Sequence, residues 1–382
     1  MNLKSLTAIR WLALSAAAML LVSGRPATAA GPDAATYSKA VDQGIQYLRT
    51  KGQSPDGSYG RRSGPGITAL ITTGVIRNGR STKDPLVAKS LDYIVQFVQP
   101  SGGVHHPQSR FSTYETCLVM MCLTEANENG KYDKILAGAE KYIRGLQWDG
   151  EEGHDQSSPA YGGAGYGNDT RPDLSNTQYF IEALRSVGAD ENDEAIKKAL
   201  IFVSRCQNLE SEHNTTEFGA KVNDGGFYYT PADGGSSQLG ETDNGGLRSY
   251  SSMTYAGLKS MIFAGVDADD PRVKAAYEFA RKNYDVHSNP GLGQAGVFYY
   301  YQTFAKALDA MGVKDVVGPE GKSHDWRAEL VTELATRQQA DGSWVNTDPK
   351  WMEGDPNLVT GFALLTLSYC KPKSAQANKN SE

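Results

Sequence analysis

Several features that would assign a protein to a common class are missing or scarce here. Only four of the 382 residues are cysteine, and Cys117, Cys122, Cys206 and Cys370 fall in no Cys/His spacing that holds zinc. Cys117 and Cys122 share one predicted helix, a poor geometry for a disulfide, so buried free thiols are the expectation. No block of lysine or arginine occurs and the formal charge is −6, which argues against nucleic acid as the main partner. No apolar run is long enough to span a bilayer, and the only long one is N-terminal. Glycine and proline, at 41 and 16 residues, are too few for a low-complexity chain, and 39% hydrophobic residues can fill a core.

The N-terminal stretch reads as a targeting segment. Lys4 and Arg10 form a basic start, Trp11 to Val22 is apolar, and Ala27-Thr28-Ala29 has the small-x-small pattern of a cleavage site. Residues 1–29 are therefore expected to be a signal peptide, and the protein to be exported to a periplasmic or extracellular location without a transmembrane segment. The far end, residues 371–382, is a polar tail with nothing to offer a core.

Between them the chain repeats itself. Six segments with apolar residues three and four apart mark amphipathic helices: YSKAVDQGIQYLRTKGQ, VAKSLDYIVQFVQ, ILAGAEKYIRGLQ, EAIKKALIFVSRCQ, VKAAYEFARKNY and WRAELVTELATRQQ. Glutamine closes five of these, at Gln53, Gln99, Gln147, Gln207 and Gln338, and Tyr284 takes its place in the fifth. A glycine-rich turn follows each one. A second helix then carries a threonine in a fixed phase, at Thr68, Thr116, Thr177, Thr254, Thr303 and Thr360. These second helices are more continuously apolar than the first, which makes them inner helices. Hairpins that cannot bury a face alone must stack. The expected fold is all-α: a single α/α toroid over residues 36–370, with six helices inside a ring of six.

A helix that ends in glutamine and leads into a Gly-x-aromatic turn resembles the QW-type repeat of the squalene–hopene cyclase and protein prenyltransferase superfamily. The best copies are Gln338-Gln339-Ala340-Asp341-Gly342-Ser343-Trp344 and Gln53-Ser54-Pro55-Asp56-Gly57-Ser58-Tyr59. The resemblance implies a terpenoid-type ligand in the toroid cavity. It also implies, for a cyclase, an acid from a DxDDT motif at the start of an inner helix. An Asp-x-Asp-Asp at Asp267-Ala268-Asp269-Asp270 precedes Pro271 and opens an outer helix, so capping is its expected role. In phase, the motif falls on Asp173-Leu174-Ser175-Asn176-Thr177, which keeps the first acid and the threonine only. Likewise Tyr114-Glu115-Thr116-Cys117 resembles the prenyltransferase Tyr-His-Thr-Cys stretch, with Glu115 where a zinc-binding histidine would stand. No metal and no cofactor are expected.

The site expectations follow from this phase. Asp173 and Glu115 are the candidate catalytic acids. Asn176, Tyr250, Tyr299, Tyr301 and Gln302, with Tyr161 and Tyr166 from the loops, are the candidate cavity or substrate-binding residues. Three functions fit: a terpenoid-cyclase-like ring, active or not, that binds an apolar small molecule or lipid; a non-catalytic binding or protein-interaction scaffold; and a saccharide-active ring with Asp173 and Glu115 as an acid–base pair. A cavity lined by continuous apolar side chains would favour the first.

Overall fold

The structure, a computed structural model, describes residues 31–60, 64–150, 153, 155–167 and 170–372. The signal segment and all but the first two residues of the polar tail lie outside the described residues. Six helices form an outer layer: α1 (Ala34–Tyr47), α3 (Pro85–Ile94), α5 (Asp133–Arg144), α7 (Glu194–Arg205), α10 (Pro271–Lys282) and α12 (Trp326–Arg337). Six more lie inside them: α2 (Gly64–Arg77), α4 (Ser112–Glu125), α6 (Leu174–Ser186), α9 (Ser251–Phe263), α11 (Val297–Ala310) and α13 (Pro356–Ser368). A one-turn helix, α8 (Gly219–Val222), and a two-residue antiparallel pair, β1 (Val316–Val317) with β2 (Ser323–His324), sit in connecting loops.

Each inner helix packs on the next, and α13 packs on α2, so the inner six close into a ring. The molecule is an α/α toroid. The two layers differ as their sequences require. In α2 every residue from Gly64 to Val75 is buried, whereas α5 buries only Leu136, Ala139 and Ile143. Aspartates start most of the outer helices: Asp33, Asp84, Asp193, Asp270 and Asp325 each accept a backbone N–H of the first turn. Asp270, the last acid of the Asp-x-Asp-Asp stretch, accepts from the Arg272 amide at 2.8 Å and is a cap.

The turn after each outer helix explains the recurring pattern of residue types. Gln53 Nε2 donates to the carbonyls of Gly57, in its own turn, and Leu86, in α3. Gln147 does the same to Gly162 and Ala195 in α7, Gln207 to Gly225 and Arg272 in α10, and Gln338 to Gly342 and Ala40 in α1. Each glutamine thus ties its turn to the next outer helix, and Gln338 closes the circle. The turn glycines press against that same neighbour at positive φ. A Cβ on Gly162 would lie 1.9 Å from the Lys198 carbonyl oxygen, and one on Gly342 2.3 Å from that of Gln43, so no other residue fits. Two residues later the chain enters the core. The amides of Tyr59, Val104, Ala164, Phe227 and Trp344 donate to Thr68, Thr116, Thr177, Thr254 and Thr360. The threonines mark phase because each receives the turn's buried N–H.

Two places depart from the pattern. Gln99 bonds only to Phe97 and His105 in its own loop, and Tyr284 reaches across to Glu329 of α12 through its hydroxyl at 2.7 Å. This contrast is testable. Gln207→Leu removes two buried hydrogen bonds, to the Gly225 and Arg272 carbonyls, and should lower unfolding free energy by about 1–3 kcal/mol in denaturant titrations. Gln99→Leu, which breaks no link between helices, should cost about 1 kcal/mol or less.

Candidate functional site

The N-terminal ends of the inner helices form a mouth beneath the long loops, and buried carboxyls and tyrosines gather there. Asp173 precedes α6 and is 2% exposed. Its carboxyl accepts from the Asn176 amide at 3.0 Å, Asn176 Nδ2 at 2.7 Å and the Ser175 hydroxyl at 2.6 Å, with Tyr229 as a fourth donor. Burial raises its pKa, and these donors work against that rise. Around it stand Tyr166, Tyr229, Tyr250 and Tyr299, all close enough to feel its charge. Tyr114 packs edge-on against both Tyr166 and Tyr179, at ring separations of 6.0 and 5.3 Å. Phe111, at the start of α4, leans on Tyr166 and is 51% exposed. The result is an aromatic wall running from rim to interior.

Glu115 is on α4 and also buried. It accepts from the His106 amide at 2.9 Å and from the Ser109 hydroxyl, so it holds its own preceding loop. Burial raises its pKa as well. Gly64 and Gly66 of α2 press on it, leaving no room for a side chain. The partners of Glu115 and Asp173 are entirely different groups, and no hydrogen bond joins the two carboxyls.

The remaining expected residues divide. Asn176 is buried beside Asp173, with its Oδ1 unpartnered. Tyr250 and Tyr299 belong to the mouth, and Gln302 lines the lumen below. Tyr161 lies in the loop near Arg205, away from the ring axis. Tyr301 is a correction: it turns away from the cavity and its hydroxyl donates to the Val286 carbonyl at 2.7 Å. The reason is phase. In α11 the place of the threonine is held by Tyr301, not Thr303, and its longer side chain reaches back to its own hairpin. Among the described residues, no three His, Cys, Asp or Glu side chains gather as metal ligands. The four cysteines are buried free thiols, and no described helix is long and apolar enough to cross a membrane.

Below the mouth the lumen is crossed by two polar rungs from α6 to α11. Gln178 Nε2 donates to the Tyr299 hydroxyl. One turn down, Lys306 binds Glu182, whose other oxygen meets Lys259 of α9. Lys259 is 0% exposed. Burial would raise the Glu182 pKa, but the two ammoniums outweigh it and hold the carboxyl at about 2. The remaining space, about 20 Å³, lies between Glu182 and Lys306 on one side and an apolar arc of Leu70, Leu118 and Leu365 on the other. It has room for about one water. The continuous apolar lining that would favour a terpenoid-type ligand is absent from this void, which is half ionic.

These charges were missed in the sequence although a signal existed. Glu182 and Lys259 follow Thr177 and Thr254 by the same interval, about one and a half helical turns, and Lys306 joins them once the fifth hairpin is counted from Tyr301, as the structure requires. Two charges in one phase of otherwise apolar inner helices already point to a shared layer.

Glu353 was missed without a comparable signal, since it lies in an irregular loop. It is 1% exposed and caps α11 from outside, accepting the amides of Phe298 at 3.2 Å and Tyr299 at 2.8 Å, and Asn346 Nδ2 at 2.6 Å. Burial raises its pKa to about 7 against these bonds. Before it, Trp351 and Met352 take positive φ, at 55° and 66°, a strained conformation for such side chains. Trp351 is 44% exposed and packs over Gly296, where a Cβ would lie 2.8 Å from the ring. Because the folded carboxyl titrates above an unfolded one, its contribution to stability is full at low pH and is lost as pH rises through 7. Between about pH 4.5 and 7.5, wild type should lose up to about 3 kcal/mol relative to Glu353→Gln, measured by denaturant unfolding at each pH.

No protein-family model and no curated protein matches the sequence. Solved structures do match in shape. Type II terpene cyclase MstE from Scytonema, in its apo form, superposes with a TM-score of 0.57 at 10% identity, covering 89% of this chain and 99% of that one. A family 88 glycosyl hydrolase from Bacteroides vulgatus gives 0.54 at 11%, covering 87% and 98%. A D-mannose isomerase gives 0.52 at 11%, covering 88% and 97%. The chain therefore has the α/α toroid fold that terpene cyclase, glycosidase and isomerase share.

Proposed function

We propose that this chain is an exported ligand-binding toroid that holds a terpenoid-type molecule at its tyrosine-walled mouth without the acid chemistry of a cyclase. The observation that carries this reading is the setting of Asp173, the one acid that the in-phase motif retains. Both of its oxygens are engaged by donors from its own helix start. A carboxyl so held has no free edge from which to protonate an alkene. Neither Ser175 nor Asn176, at the motif's other acid positions, can replace it.

Binding is supported by the wall of Tyr114, Tyr166, Tyr179 and Tyr299, with Phe111 exposed at its rim. Such a surface offers aromatic faces and hydroxyls together. A variant of the Scytonema cyclase has been solved in complex with geranylgeranyl dihydroxybenzoate, its substrate. The polar rungs below the mouth confine a ligand of this kind to the upper lumen. A saccharide-active ring is the second reading, favoured by one observation: the near-neutral Glu353 carboxyl lies two residues from an exposed, strained Trp351 that could stack on a sugar.

Native mass spectrometry of the mature protein with a lipid extract from its source tests the first reading. Wild type and Asp173→Asn should both retain a ligand of unaltered mass. A ligand converted by wild type alone would establish an enzyme and overturn the proposal. Cleavage of an oligosaccharide, abolished by Glu353→Gln, would establish the second reading instead.

A further inference from the structure

The first and last hairpins meet along α1, and a groove of about 500 Å³ lies open where they join. Its floor is one face of α1, from Asp42 to Arg49, and one wall is the turn Ala340-Asp341-Gly342 that follows α12. Gly342 seats that wall directly on the Gln43 backbone. Arg80, from the loop after α2, completes the lining and bonds to Asp42 at 2.9 Å. A volume of this size is typical of small-molecule sites.

The lining narrows the class of ligand. Each charged group in it has a partner of opposite sign: Arg80 with Asp42, Arg49 with Asp84 at 2.8 Å, and Asp341 with Lys51 at 3.3 Å. An ionic ligand therefore finds no vacant counter-charge. Apolar surface is scant, since Ile45 is only 2% exposed. What stays free is neutral hydrogen-bonding capacity. The side-chain amides of Gln43 and Gln46 are exposed and make no hydrogen bond among the described residues. Asp42 keeps Oδ2 free, and Arg80 has no acceptor at Nε. The backbone of α1 is spent on its own helix, so an extended peptide has no edge to pair with.

We propose that this seam groove binds a neutral polyhydroxylated ligand, a short oligosaccharide. Adjacent sugar hydroxyls donate and accept at once, which suits planar amides and carboxylates that present two polar atoms side by side. Gln43 and Gln46 are three apart on one helical face and address neighbouring hydroxyls, while Asp42 and Asp341 accept from others. A ligand held there touches the first hairpin and the last together, so it binds only the closed ring and stabilises the closure. None of the lining belongs to the mouth, and Glu353 is not part of it.

Calorimetric titration of the full chain at pH 7 tests it, with maltotetraose, cellotetraose and chitotetraose as probes and tetraalanine as the peptide control. At least one tetrasaccharide should bind saturably, one per chain, and raise the thermal transition as its concentration passes Kd. Tetraalanine should do neither. The double variant Gln43→Ala/Gln46→Ala changes two exposed side chains and no charge. It should keep the wild-type transition in buffer and weaken the sugar by about tenfold or more. Glu353→Gln should leave that affinity unchanged. Failure of all three sugars to bind, unchanged affinity in the double variant, or binding of tetraalanine in their place would overturn the groove. Sugar affinity lost in Glu353→Gln and kept in the double variant would also overturn it, and would move the site to Trp351. None of these outcomes bears on ligand retention at the mouth, which is read separately with Asp173→Asn.

Discussion

A carbonyl oxygen of one outer helix and the Cα of a turn glycine from its neighbour lie too close for any side chain to stand between them. At Gly57, Gly102, Gly162, Gly225 and Gly342 the same approach recurs, each against the backbone of the next outer helix. Most of the architecture follows from it. The close contact needs glycine at positive φ, and it leaves carbonyls that a glutamine amide can satisfy in pairs. It also delivers the following backbone N–H to a threonine on an inner helix. Outer spacing, turn and inner phase are fixed by one local geometry, repeated until the ring closes.

The mouth shows how such a scaffold uses its acids. Asp173, Glu115 and Glu353 are all buried, and all receive backbone N–H groups of helix starts or loops. Helix N-termini attract carboxylates in any protein, and a ring with six inner N-termini at one end concentrates them. Acidic residues clustered there are therefore a weak sign of catalysis. The tyrosines are more telling, because their rings pack edge-on against one another instead of only against backbone.

The fold was legible because it rests on residue types at regular spacing. Glutamine, glycine and threonine recur for reasons that act within one hairpin, and their helices carry clear amphipathic or continuously apolar patterns. Phase was legible where the threonine accepts the turn amide and failed where it does not. Thr303 looked like the marker of the fifth hairpin, but Tyr301 holds that place, which reversed the direction assigned to its side chain. The mouth was legible as a set of residues but not as chemistry, since capping and catalysis ask for the same acids at the same positions. Glu353 reaches α11 from a loop of the following hairpin, a contact no local pattern announces. A phase argument extended from threonines to charges reaches Glu182 and Lys259, but not Lys306, whose helix is counted from Tyr301.

Closure has a consequence for how the molecule comes into being. Gln338 grips Ala40, 298 positions earlier, and Gly31 donates to Asp325 across a gap of 294. The first outer helix has no lasting partner on one flank until the last hairpin exists. An incomplete chain is an open arc with two unsatisfied edges, one at each end, and no register to lock. Contacts of this span are entropically late, so the ring behaves as a clasp: it stays pliable while it is being made and becomes a single cooperative body when its final segment arrives.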